Sequence, residues 1–127
     1  MSLTGLSCIF SAPDIKKTAE FYVSCFGFYA VEYLQCAEPH IYLYRDQTEI
    51  LLLQAKTEKV FPNRELYGYG YDAYLYTEDQ EALEKEFLEK NVKIVKPLSV
   101  TDYQNREFVA EDIDGRWIAF GRKKKGE

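Results

Sequence analysis

Three observations predict an α+β fold built from two βαβββ modules. A strand–helix–three-strand order runs twice through the 127 residues. In each copy an aspartate, Asp14 or Asp79, stands where an apolar strand gives way to a helix. Each copy then closes with a tight turn and an apolar strand, at residues 49–54 and 116–122. Helices would cover one face of each sheet, leaving the other face free to curve around something.

In the first copy, residues 4–10 form the opening strand. Pro13-Asp14 starts a helix, and Ile15, Thr18, Ala19 and Tyr22 follow at helical spacing until Gly27 ends it. Residues 28–35 and 40–44 alternate as strands do, and Asp46-Gln47 turns the chain into residues 49–54. Residues 56–70 hold Pro62, Gly68 and Gly70 and are expected to link the copies. The second copy runs as a strand at 71–76 and a helix at 79–90, with Leu83, Phe87 and Asn91 on one face. Strands follow at 92–96, 106–110 and 116–122, the last two joined through Asp114-Gly115, where both positions tolerate positive φ. Module one is thus about 4–55 and module two about 71–122 of a single domain.

Composition narrows the function classes. Apolar residues make up 46% of the chain, too many for a disordered one. No apolar run reaches the roughly 18 residues of a membrane span, and no secretion signal is evident. Cys8, Cys25 and Cys36 are odd in number and lack metal-binding spacing, so reduced thiols and a cytoplasmic location are expected. A net charge of -5 argues against nucleic acid, and the basic run Arg122-Lys123-Lys124-Lys125 is expected to be a solvated end. Eleven tyrosines supply plates with polar tips, suited to sheet faces, interfaces and ligand walls.

Ser11-Ala12-Pro13-Asp14-Ile15 through Glu20-Phe21-Tyr22, then Phe26-Gly27-Phe28, and the run from Glu111 through Gly115 to Ile118 carry a resemblance in their order and spacing. With them the chain resembles the vicinal oxygen chelate superfamily, which joins glyoxalases, bleomycin-resistance proteins and extradiol dioxygenases. The resemblance implies paired modules whose mixed sheet forms a cup with the helices outside. It also implies a homodimer in which modules from two chains complete each cup. Family enzymes hold a divalent metal there with His, Gln or Glu from the first and last strands of each module.

The first-strand ligand lies seven residues before the helix-opening aspartate, which points to Ser7 and Asp72. The last-strand ligand lies between apolar neighbours, which points to Leu52 and Ala119; a one-residue shift of Leu52 still meets leucine. Leucine and alanine coordinate nothing, and a neutral serine hydroxyl is a poor ligand. No metal or other cofactor is therefore expected. Asp72 is left as either a ligand contact or a hydrogen-bonded strand residue. His40, the only histidine, is expected at the surface or core edge rather than in a makeshift metal site with Asp72.

Strand alternation puts Ser7, Ile9, His40, Tyr42, Tyr44, Ile50, Leu52, Asp72, Tyr74, Tyr76, Trp117 and Ala119 on the inner face. That set is mostly apolar with a few polar groups, as ligand pockets are, although aromatics also pair across strands or fill seams. Trp117 beside Ala119 is expected to stack on a guest. The expectation is a metal-free protein that binds a small aromatic or cationic molecule, as bleomycin-resistance proteins sequester a drug by binding alone. The rival is a lyase, isomerase or dioxygenase with an atypical metal site, or with acid–base chemistry through Asp72 or His40. A relative without any ligand is the third possibility. No nucleophile elbow, phosphate loop or Cys-x-x-Cys adds another class.

Overall fold

The structure, a computed structural model, describes residues 1–123. Lys124 and Lys125 of the basic run lie outside the described residues. The chain divides into two compact units at Val60/Phe61, inside the segment expected to link the copies.

Unit one consists of β1 (Cys8–Ala12), α1 (Ile15–Phe26), β2 (Tyr29–Tyr33), β3 (His40–Arg45) and β4 (Thr48–Gln54). Its sheet runs β1-β4-β3-β2, with β1 parallel to β4 and the other pairs antiparallel. The Asp14 carboxylate accepts the Lys17 backbone N–H at 3.1 Å and caps α1, and Gly27 closes it at φ 75°. Ile15, Thr18, Ala19, Tyr22 and Phe26 form the buried stripe of the helix. Tyr22 packs edge-on against Phe26 and Phe28 and meets Phe10 of β1 at 6.4 Å. The opening strand begins later than expected, because its partners in β4 run only from Ile50 to Gln54.

Unit two repeats the plan with β5 (Ala73–Tyr76), α3 (Gln80–Glu89), β6 (Lys93–Val100), β7 (Arg106–Glu111) and β8 (Trp117–Gly121). Its order, β5-β8-β7-β6, is that of unit one, again with the first pair parallel. Phe87 of α3 packs on Phe108 and Phe120, which defines the helix-covered face. Two register shifts interrupt β6, between Ile94 and Lys96 and between Lys96 and Ser99, and the second contains Pro97, which is tolerated because this strand is an edge.

Three local expectations are corrected. The 56–70 segment contains a helix, α2 (Asn63–Tyr67), too short to leave a periodic signal. Asp79 stands at the N-cap of α3, yet its side chain makes no capping bond; its N–H donates to the Thr77 hydroxyl instead. Of Asp114 and Gly115 only the glycine takes positive φ, at 87°. The Asp112 carboxylate accepts the N–H groups of Asp114 and Arg116, and Arg116 pairs with it at 2.8 Å. The connection is therefore a three-residue loop closed by a left-handed glycine.

Candidate functional site

The open face of each sheet, opposite its helix, is where the expected site residues can be checked. In unit one Ser7, Ile9, His40, Tyr42 and Tyr44 lie on that face, but Ile50 and Leu52 do not. Both are 0% exposed and pair with Leu43 and Ile41, which are buried on the helix side. Glu49, Leu51 and Leu53 occupy the open face instead, opposite Tyr44, Tyr42 and His40. The run Ile50-Leu51-Leu52-Leu53 is apolar throughout, so alternation alone could not set its parity.

The aromatic members of this face form a ladder. His40 stacks on Tyr33 at 5.0 Å, Tyr42 lies parallel to Tyr44 at 6.0 Å, and Tyr44 meets Tyr29 at 5.3 Å. His40 Nδ1 lies 2.9 Å from the Glu38 carbonyl. At the other side Ser7 donates its hydroxyl hydrogen bond to Glu49. Partial desolvation, and next its hydrogen bond to Glu49, push the Tyr44 phenol above its ordinary pKa.

In unit two Asp72, Tyr74, Tyr76, Trp117 and Ala119 share the open face, as alternation predicts. Asp72 is engaged at both oxygens: one accepts the Asn63 N–H at 2.9 Å, the other the Trp117 N–H at 3.1 Å. It thereby ties the start of α2 to the start of β8. Trp117 is engaged as well. The Arg64 guanidinium lies 4.3 Å from its ring centre and donates to the Gly115 carbonyl, while the indole N–H donates to Glu111 at 3.0 Å.

A groove of about 410 Å³ opens where Tyr74 and Tyr76 lie on this face, lined also by Tyr103, Asn105, Arg122 and Lys123. Beneath it Glu107 of β7 is 5% exposed. One of its oxygens accepts the Tyr74 hydroxyl at 2.5 Å and the other accepts the Tyr103 hydroxyl. Tyr74 belongs to β5 and Glu107 to β7, so the phenol must cross the intervening β8. Gly121 makes that crossing possible. A Cβ there would stand 2.1 Å from the Tyr74 oxygen and 3.1 Å from the Glu107 Cβ. Burial, then the bond to Glu107, raises the Tyr74 phenol well above the usual range, and the same causes push Tyr103 up to about 12. Both phenols therefore stay neutral donors at physiological pH.

Asn105, itself buried, completes the groove. Its amide nitrogen donates to the Tyr74 oxygen at 3.1 Å and to the Arg122 carbonyl at 2.7 Å, and its oxygen accepts the Arg122 N–H at 3.1 Å. Glu107, Asn105 and Tyr103 were absent from the sequence expectation. The available signals were a glutamate inside an apolar strand and a glycine at the end of another.

The sequence model of the Glyoxalase/Bleomycin resistance protein/Dioxygenase superfamily matches residues 6–120. The chain belongs to this superfamily. Solved structures agree on the fold. UcmS2 superposes with a TM-score of 0.75 at 15% identity, over 97% of this chain and all of its own. A superfamily member from Sphaerobacter thermophilus DSM 20745 gives 0.74 at 22% identity, over 96% of this chain and 98% of its own. A glyoxalase I mutant from Zea mays gives 0.72 at 16%, over 95% of this chain but 46% of its own. Identities this low establish fold alone. No curated protein matches the chain.

The metal positions of the superfamily can now be tested on their donors. Ala119 has none. On β4 the open face carries Glu49, Leu51 and Leu53 rather than Leu52; the leucines have none either, and Glu49 accepts the Ser7 hydroxyl. Ser7 is spent on Glu49, and Asp72 on two backbone N–H groups. Among the described residues no three His, Cys, Asp or Glu side chains converge as a metal set. The residues present do not fit a divalent ion held in the superfamily's manner.

Proposed function

We propose that this superfamily member is a metal-independent binding protein that holds a small planar organic molecule in the tyrosine-walled groove of unit two. The observation that carries this is the joint placement of Tyr74, Tyr76 and Tyr103 around a space of drug-like size. Glu107 and Asn105 fix two wall residues from below, so the walls are held before a guest arrives. Neither Tyr74 nor Tyr103 is suited to proton transfer near neutrality, which favours binding over acid–base catalysis here.

A thermal-shift screen of aromatic metabolites and antibiotics tests the proposal. A ligand present at about 100 times its dissociation constant stabilises by about 2.7 kcal/mol. That stabilisation should be lost in Tyr76→Ala, while a genuine ligand unaffected by Tyr76→Ala would place binding elsewhere. Elemental analysis of untagged protein should give well under one transition metal per chain, and near-stoichiometric metal with a turnover would overturn the metal-independent part.

A further inference from the structure

The rim of the groove carries charge of one sign. Arg122 and Lys123 are both exposed on its lining, and among the described residues no carboxylate pairs with either. Lys123 instead places its ammonium 5.7 Å from the Tyr76 ring centre. The carboxylate beneath, Glu107, is buried and has each oxygen taken by a phenol. It is covered by those phenols rather than presented to a guest.

Arg122 is also held in place. Asn105 grips its backbone at both N–H and C=O, which pins the residue following β8 beside Tyr74. A two-point clamp made by a buried side chain leaves the Arg122 guanidinium free while fixing the backbone that carries it.

We infer that the groove selects planar aromatic anions, rings bearing a carboxylate, sulfonate or phosphate group. The tyrosines receive the ring, and Arg122, aided by Lys123, receives the anionic group. Asn105 acts as a positioning residue for Arg122. The inference rests on the groove being the binding site, and it is opposite in sign to the guest that a net charge of -5 would favour. Local charge decides at contact distance, because surface charges beyond about 10 Å are screened at ordinary salt.

The test uses three matched probes, 1-naphthoate, 1-naphthylmethanol and 1-naphthylmethylammonium, titrated calorimetrically into the intact protein. Naphthoate should bind about fivefold tighter than the alcohol, the upper end for an exposed ion pair. The ammonium probe should bind most weakly, and the anion preference should shrink at high salt. Arg122→Gln should bring naphthoate and the alcohol to within about twofold, and Asn105→Ala should reduce the preference with Arg122 still present. If the alcohol or the ammonium binds as tightly as naphthoate, the inference falls while the groove stands. If the preference survives Arg122→Gln, the inference falls too. If no probe binds, or if all bind Tyr76→Ala unchanged, the groove assignment falls with it.

Discussion

Tyr74→Phe removes one oxygen and asks what the buried Glu107 is worth. In the parent, the phenol reaches over β8 and donates at 2.5 Å to a carboxylate that is 5% exposed. The phenylalanine ring can occupy the same space over Gly121, so no clash or cavity beyond the hydroxyl is introduced. What changes is that Glu107 retains Tyr103 but loses its donor at the other oxygen. Asn105 loses one acceptor and keeps the Arg122 carbonyl. A hydrogen bond to a charged group contributes about 1.5–3 kcal/mol, and water can replace part of it where the groove is open. The expected loss is about 2 kcal/mol, or roughly 8 °C in Tm at about 4 °C per kcal/mol for a chain of this size. Urea titration followed by circular dichroism should show a lower midpoint at unchanged slope. Tyr67→Phe, at an exposed position of α2, serves as the control and should stay within about 0.5 kcal/mol. A Tyr74→Phe loss no larger than that of the control would refute the claim that Glu107 is a charged acceptor shielded from water.

Gly121→Ala should cost at least as much as Tyr74→Phe, because its Cβ forces the phenol off β8; adding it to Tyr74→Phe should cost less than the two singles summed. Urea midpoints of the single and double variants check this. Alkaline titration at 295 nm should show Tyr44, Tyr74 and Tyr103 ionising above the ordinary phenol range. For Tyr103, with its pKa raised from 10.0 to about 12, the folded protein keeps a proton that the unfolded chain has lost. Its stabilising contribution is complete below about pH 10 and is lost as pH rises toward 12, so denaturant midpoints should fall over that window. All eleven tyrosines ionising together near pH 10 in native protein would contradict this. Finally, we expect a two-fold dimer, since Ile9, Tyr29 and Tyr33 leave apolar area exposed in unit one; light scattering at tens of micromolar should give twice the mass of one chain.

The element order was legible because caps and periodicities agreed: Asp14 capped, Gly27 turned left-handed, and each unit repeated the other's strand order. The face of the last strand in unit one was less so. Glu49 held the clue, since a polar residue on the open face forces Ile50 and Leu52 into the core, but four apolar residues in a row masked it. The groove was hardly legible at all. Tyr74 and Glu107 are 33 residues apart and separated by a strand, and their contact depends on an atom that Gly121 lacks. Tyr103 and Asn105 come from a loop between β6 and β7 that no periodic pattern constrains.

Asp72 also bears on any attempt to build a metal site into the chain. Its carboxylate sits where relatives of this superfamily are expected to begin a metal site, yet here it fastens two backbone segments. Grafting a histidine at that position would strand both N–H groups, so a new ligand would arrive together with a folding defect. Ala119→Glu, tried first, would bury a carboxylate with no cation to meet it. Each single step toward a metal site is thus expected to destabilise the fold on its own. Engineering a metal site into this sheet would therefore require several positions to change together.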